Sequence, residues 1–401
     1  MQIGFIGLGA MGGGMASNLL EKNFSLIGYD VYQPSVARLL PKGLIPSNSP
    51  QEVAEKADFL IIMVVNASQV DTLLFNEQVV QSLRPSKTIL LCSTVPPDYI
   101  RDLEARINKL RPDIKLIDSP VSGGTIRAAN GTLSIFSSGE DDVLREASTI
   151  LNAMADPLYH IPGGIGMGSI AKMCHQHHAA VNIITTSEAM ALATAAGLNT
   201  KKVFEAVCES SGYSWMFANR VPHMFEDNYK DVVHSATSVI TKDAKIVTDY
   251  AKTVNAPLLL AGMAEQLYTK AINDGMTQED DAGLVRLFLS TNVEATVKLL
   301  AESETVVGKA GVTIESIIDL LTGVHVASAY ECLSYASKVG LEYELLADII
   351  AKGAGNTAVF KSTKENLEQV FQLQRLPQVE QIRGKLVSTE GSLTALKTTS
   401  N

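Results

Sequence analysis

The sequence predicts two architectures in one chain: a doubly wound α/β domain with a mostly parallel sheet over residues 1–165, then an all-α part. That part spans residues 166–295 and is repeated over 296–401, where it ends in a short tail. Three observations carry this reading. Short apolar runs alternate with helix-like stretches through the first part, the strand signal stops at a crowd of glycines (Gly163, Gly164, Gly166, Gly168), and the helical part matches itself at one fixed offset.

Strands are expected at 2–6, 25–30, 59–65, 88–92, 115–118, 132–137 and 157–161. The run Phe59-Leu60-Ile61-Ile62-Met63-Val64-Val65 is apolar at every position, as a parallel strand covered by helices on both faces requires. Beyond Gly168 the periodicity is helical, which sets the domain boundary at the glycine cluster. Within the helical part Glu188 matches Glu331, Gly197-Leu198 matches Gly340-Leu341, Gly212 matches Gly355 and Phe217 matches Phe360, each pair 143 residues apart without a gap. A duplicated helical unit follows.

The 401 residues are 46% hydrophobic and 19% charged, so the chain has enough apolar material for two or three cored domains. A formal net charge of −10 with no basic stripe argues against a nucleic-acid partner. Cys92, Cys174, Cys208 and Cys332 are widely spaced and read as reduced thiols. No leader is expected before the first strand, and no uninterrupted apolar run approaches the ~18–20 residues of a membrane span. The final residues, Lys397 to Asn401, are not a peroxisomal signal. No membrane is expected, and cytoplasm is the expected location.

Directly after the first strand stands "GFIGLGAMGGGMA", Gly4 to Ala16. Gly7, Gly9 and Gly12 form G-x-G-x-x-G between a strand and a helix, the pattern of a Rossmann dinucleotide site. Gly7 is expected to make the tight turn, Gly9 to let the backbone approach a pyrophosphate, and Gly12 to let helix and strand pack closely. The pyrophosphate would sit on the free N–H groups of the helix start, which also include those of Leu8, Ala10 and Met11. Asp30 ends the second strand, where a carboxylate accepts from a ribose and repels a 2′-phosphate; Val31-Tyr32 offers no arginine in its place. NAD rather than NADP is expected.

With these residues in view, the chain resembles the β-hydroxyacid dehydrogenase family, which includes 3-hydroxyisobutyrate, tartronate semialdehyde and L-threonate dehydrogenases. The resemblance runs from Gln2 to about Ser290 through four ordered motifs: the glycine fingerprint, "DSPVSGGTIRAANGTL" from Asp118, "GSIAKMCHQ" from Gly168 and "TKDAKIV" from Thr241. "MVVNASQV", "SSGYSWMFANRVPHMF", "EDD" at Glu279–Asp281, and Gln176 where most of the family has Asn resemble the branch acting on four-carbon sugar acids.

The resemblance implies an NAD-dependent dehydrogenase of small hydroxy acids. Ser122, Gly123 and Gly124 would bind the substrate carboxylate, with two glycines baring successive N–H groups and a serine adding a hydroxyl; Arg127 could add charge or be an ordinary surface arginine. Lys172 would be the acid/base, a role open to a lysine once burial lowers its pKa. Gln176, four residues on and so on the same helix face, would hold a substrate hydroxyl or orient the lysine. Val65, Asn66 and Thr94 lie at strand ends where nucleotides bind, and Lys242 resembles a family lysine that reaches the nicotinamide side.

No metal is expected, because His175, His177 and His178 lack the i, i+4 spacing of paired helical ligands. His175 could border the substrate pocket, and Trp215, Met216 and Phe217 read as core or pocket wall. The offset of 143 sets Glu315 opposite Lys172 and Asp319 opposite Gln176, so the second copy is expected to lack an active site. Single-copy relatives pack two subunits through their helical domains; here the second copy is expected to cover that apolar surface within the chain, with one NAD site per chain, and a homodimer is the alternative. Three rival readings fall behind. Imine reductases usually lack the lysine, 6-phosphogluconate dehydrogenases carry Asn at 176 and Glu-Tyr at 179–180, and non-catalytic NAD-binding relatives lose the lysine and often gain a basic module.

Overall fold

The computed structural model describes residues 1–226, 229–302, 308, 311–362 and 366–368. The expected C-terminal tail lies outside the described residues. Six parallel strands, β1 (Gln2–Ile6), β2 (Ser25–Tyr29), β3 (Ile45–Pro46), β4 (Phe59–Ile62), β5 (Thr88–Leu91) and β6 (Lys115–Asp118), form one sheet in the order β3-β2-β1-β4-β5-β6. Leu60, Ile61 and Ile62 have no exposed surface, as a strand sandwiched between two helical layers should. The strand order reverses between β1 and β4, which opens a crevice at their C-terminal ends.

The last predicted strands do not extend this sheet. β8 (Leu133–Ser137) pairs antiparallel with β7 (Val121–Ser122) and parallel with β9 (Ala155–His160), giving a separate three-stranded sheet. A single antiparallel bridge from Asp118 to Ser138 joins the two sheets, so β8 passes the end of β6 in the wrong direction to continue its ladder. The strand expected to reach Val65 stops at Ile62, because the Val64 and Val65 N–H groups donate to Ser93 Oγ and Gln69 Oε1 instead of to a neighbouring strand.

Beyond β9 every described element is helical. α1 (Ala10–Glu21) follows β1, and α2 (Gly124–Asn130) follows β7. α3 (Met167–Ala196) is the axis of the second domain, surrounded by α4 (Thr200–Cys208), α5 (Trp215–Met224), α6 (Thr237–Thr253), α7 (Leu259–Asn273) and α8 (Ile314–Val339), with α9 (Tyr343–Lys352) and α10 (Ala358–Ser362) closing the chain. α3 is long and apolar enough in average composition to cross a bilayer, although Lys172 and His175 to His178 interrupt its apolar run, and 83% of its most apolar window is buried inside the protein. It is a core helix, covered by protein along most of its length.

Contacts between the two matched stretches are reciprocal about Ser214 and Thr357, which stand 143 residues apart. Trp215 N donates to Asn356 O at 2.8 Å and Ala358 N donates to Tyr213 O at 2.9 Å, around a bridge between Ser214 and Thr357. Gly212 lies against Ile318 and Leu321, and Gly355 against His175 and His178. α3 and α8 end alike, on Gly197 and Gly340 at φ 81° and 79°, a left-handed conformation that favours glycine.

Candidate active site

The glycine run divides its labour. Gly7 has φ +92° and a side chain there would overlap Met63 O; one at Gly12 would overlap Gly7 O, so helix and strand could not close. Around Gly9 nothing lies within 4 Å, which leaves its backbone open to a ligand. Gly13 makes room for the Arg38 guanidinium, which donates to the carbonyls of Leu8 and Gly9 at 2.6 Å each, and Gly14 lets α1 approach the Ala128–Ala129 backbone of α2. Arg38 is a loop-holding residue that the sequence reading missed; the excess of glycines was its only local signal.

Asp30 stands at the C-terminal end of β2. Its carboxylate accepts from Leu8 N at 2.6 Å and Tyr32 N at 2.7 Å, tying the glycine loop to the next loop. Val31 and Tyr32 are largely exposed beside it. Open glycine backbone, a helix start, and a carboxylate at the second strand's end fit a dinucleotide carrying a free ribose 2′-hydroxyl. Asn66 caps the helix after β4 by accepting from Gln69 N at 2.9 Å, and Val65 is 63% exposed at the crevice.

Ser122, Gly123 and Gly124 form the turn from β7 into α2. Gly123 (φ +140°) and Gly124 (φ +69°) adopt conformations that favour glycine, and nothing lies within 4 Å of Gly124 on its side-chain side. Arg127 does not reach into this loop as a free charge: it donates to Thr132 O at 2.6 Å and Asp156 O at 2.7 Å, fastening α2 to β9.

The first turn of α3 is fixed to the nucleotide domain by Asp118, a residue the sequence reading placed only inside a motif. Asp118 accepts from Ser169 N at 2.7 Å and Ser169 Oγ at 2.8 Å, while Gly168 N donates to Ser138 Oγ at 2.8 Å. Burial pushes the Asp118 carboxyl up to about 6, against the opposing pull of these hydrogen bonds. Gly168 is obligatory here, since a Cβ would overlap Phe136 O.

One turn further on, Lys172 is 4% exposed. Burial brings its ammonium down to about 8; the Asp243 carboxylate opposes that shift and Lys242 adds to it. Gln176 Nε2 donates to Asp243 Oδ2 at 2.6 Å, and Asp243 Oδ1 lies 3.0 Å from Lys242 Nζ. Lys242 also donates to Thr94 O at 3.3 Å, so α6 touches the crevice of the parallel sheet. The fold thus gathers Lys172, Gln176, Lys242 and Thr94 into one connected set. Asp243, its hub, was visible in sequence only as the neighbour of Lys242.

Other singled-out residues turn out to be scaffold. Arg220 and Asp281 form a buried two-pronged ion pair with bonds of 2.5 and 3.0 Å, Asp280 accepts from the His234, Ser235 and Ala282 N–H groups, and Glu279 pairs with Arg286. The "SSGYSWMFANRVPHMF" and "EDD" motifs are therefore bolted to each other. His177 pairs with Glu331 at 2.9 Å, and that carboxylate also accepts from Leu260 and Ala261 N–H groups at the start of α7. Glu315 and Asp319 are exposed on α8, unlike their buried counterparts Lys172 and Gln176.

Residues 2–163 match the family described as the NAD-binding domain of 6-phosphogluconate dehydrogenase, and residues 166–288 match the NAD-binding family of NADP-dependent 3-hydroxyisobutyrate dehydrogenase. L-threonate dehydrogenase of Escherichia coli K12 is 36% identical over 288 residues, 71% of this chain and 94% of that protein. NAD-dependent L-serine dehydrogenase of Pseudomonas aeruginosa is 31% identical over 293 residues, 72% of this chain and 97% of its own. The crystal structure of a 3-hydroxyisobutyrate dehydrogenase from Salmonella typhimurium is 34% identical, covers 72% of this chain and 99% of its own, and superimposes with a TM-score of 0.66.

Proposed function

The chain belongs to the β-hydroxyacid dehydrogenase family, NAD-dependent oxidoreductases of hydroxy acids, and on that premise we propose that it oxidises one hydroxyl of a four-carbon sugar acid of the L-threonate kind. The observation that carries the reaction is Lys172, an almost fully buried lysine whose ammonium is brought down to about 8 beside Gln176 and Asp243. A group poised there takes the hydroxyl proton as the carbonyl forms and returns it in the reverse direction. Bound NAD supplies the hydride acceptor.

The glycine loop of Gly7 to Gly12, Asp30, Val65, Asn66, Thr94 and Lys242 hold the dinucleotide in this reading. Ser122 and the bare N–H groups of Gly123 and Gly124 hold the substrate carboxylate, and Gln176 keeps one amide N–H free for a substrate hydroxyl while its other is committed to Asp243. The substrate choice is supported by similarity to L-threonate dehydrogenases at 32–36% identity. A 3-hydroxyisobutyrate-type or tartronate semialdehyde-type reaction is the alternative. A cytoplasmic location fits a reaction that draws on a soluble nicotinamide pool.

The deciding experiment is NAD reduction across a panel of hydroxy acids and sugar acids, with Lys172→Ala alongside. Turnover greatest on a four-carbon acid and lost in Lys172→Ala, with NAD binding retained, is the expected result. Silence across the panel while NAD still binds would mean a non-catalytic nucleotide-binding protein.

A further inference from the structure

His175 is fully buried beside Lys172 and Gln176, and its surroundings come from two distant parts of the chain. Phe136 of β8 lies with its ring centroid 5.9 Å from the imidazole. Gly353, which follows α9, lies against the imidazole edge: a Cβ there would stand 2.5 Å from Nε2 and 2.7 Å from Cδ2. The Gly353 backbone is extended, φ −105° and ψ 179°, so its conformation suits any residue. What excludes a side chain is the ring, together with Ile349 O, which a Cβ would approach to 2.8 Å.

The hydrogen bonds assign the ring's tautomer. Gln176 gives its Nε2 to Asp243, so Oε1 faces His175 Nδ1 at 3.1 Å, and an oxygen acceptor requires that Nδ1 carry the hydrogen. Burial, with the Lys172 ammonium adding to it, takes the imidazole down to about 3, so the ring is neutral and Nε2 is a bare lone pair. Nε2 is buried and makes no hydrogen bond. Among the described residues nothing polar holds that end of the imidazole; packing does, and Gly353 is part of that packing.

We propose that Gly353 is a positioning residue for the reaction: the C-terminal helical segment holds the His175 ring where its Nδ1–H orients Gln176, and through Gln176 the Asp243 carboxylate beside Lys172. The C-terminal helical segment thereby contributes to the active site from within the chain, at a point where the sheet domain's Phe136 and the two helical segments converge. This rests on the reading of Lys172 as acid/base.

The test uses the full chain. Gly353→Ala is expected to lower kcat about tenfold and to move the pH limb of Lys172 downward, because Asp243, no longer held in place by Gln176, swings away from Lys172 and supports the ammonium less; the Kd for NAD stays within about twofold. Gly212→Ala is the control. It loads the contact on Ile318 and Leu321, the counterpart of the one Gly355 makes, away from the His175 ring, and is expected to leave kcat and the pH limb unchanged. His175→Ala should lose about as much kcat as Gly353→Ala, and adding Gly353→Ala to it should cost nothing more.

Multiplicative losses in that double variant, an equal loss in Gly212→Ala, or normal kcat in His175→Ala would each overturn the proposal. The His175→Ala result stands even if Gly353→Ala does not fold. Retained turnover in Lys172→Ala would instead sink the acid/base assignment itself, so the two failures are told apart.

Discussion

Gln176 Nε2 and Asp243 Oδ2 are joined by a 2.6 Å hydrogen bond between two helices, with both side chains at least nine-tenths buried. A bond to a charged, buried acceptor is expensive to break, since the carboxylate loses a donor it cannot replace from water. Gln176→Ala should destabilise the fold by ~1–3 kcal/mol. It should also lower kcat while leaving the Kd for NAD unchanged. Denaturant melts and NAD titration check the two halves separately; a variant with weakened NAD binding and unchanged kcat would contradict the assignment.

The pH dependence follows from Lys172 at about 8. Oxidation needs the neutral amine to accept a proton, so kcat/KM in that direction should rise as pH climbs through about 8. Reduction needs the ammonium and should fall over the same range. Asp243 favours the ammonium, so Asp243→Asn should move both limbs to lower pH. A limb that stays in place would show that another group titrates.

The same burial has a consequence for stability. Lys172 binds its proton less tightly in the folded chain than an ordinary lysine does, so at pH 7 the folded state carries the cost of a buried ammonium. Lys172→Met, close in volume, should therefore be inactive yet more stable at pH 7, by ~1–3 kcal/mol. The gain should shrink as pH rises from about 8 toward 10.5, above which both states have lost the proton. Chemical denaturation at pH 7 and pH 10 reads this directly, and a variant less stable than the parent at pH 7 would refute it.

Cofactor choice rests on Asp30 with exposed Val31 beside it. The double variant Asp30→Ser with Val31→Arg should trade repulsion of a 2′-phosphate for attraction, tightening NADP while weakening NAD. Because Asp30 also receives Leu8 N and Tyr32 N, NAD affinity should fall more than the loss of a ribose contact alone implies. Paired Kd measurements for both dinucleotides decide it. A parent protein that already prefers NADP would overturn the role given to Asp30.

The parts legible in sequence were those whose cause is local. Gly7, Gly9 and Gly12 announce a strand–turn–helix because each is needed within a dozen residues of the others, and Phe59 to Ile62 reads as a buried strand from its own side chains. Two-residue strands such as β3 and β7 have no periodicity to detect. Sheet membership was equally hidden: β8 and β9 look like parallel strands, yet their partners are set by the path of the chain after β6. In the site, Lys172 and Gln176 share a helix face and could be paired by counting. Asp118 anchors Ser169 from 51 residues away, Asp243 reaches Gln176 across 67, and Gly353 meets His175 from the far end of the chain. Such pairings depend on how helices pack, which one sequence does not encode locally.

The last prediction concerns what the C-terminal helices cover. α8 packs along α3, Glu331 holds His177 and caps the first turn of α7, and the Trp215–Asn356 and Ala358–Tyr213 bonds stitch the two segments backbone to backbone. Ala329, Cys332, Leu333 and Ala336 of α8 share one core with Ile170, Ala171 and Cys174 of α3. A chain ended near residue 295 keeps both matched family regions but uncovers this apolar side of α3 and leaves His177 without its carboxylate. Apolar surface of that kind is satisfied by aggregation or by a second copy of itself. The shortened chain should therefore precipitate or elute from size-exclusion as a dimer or larger species. It should also lose activity wherever no second copy restores the contact on His175. A soluble monomer with full turnover would show that the C-terminal helices neither cover α3 nor serve the site.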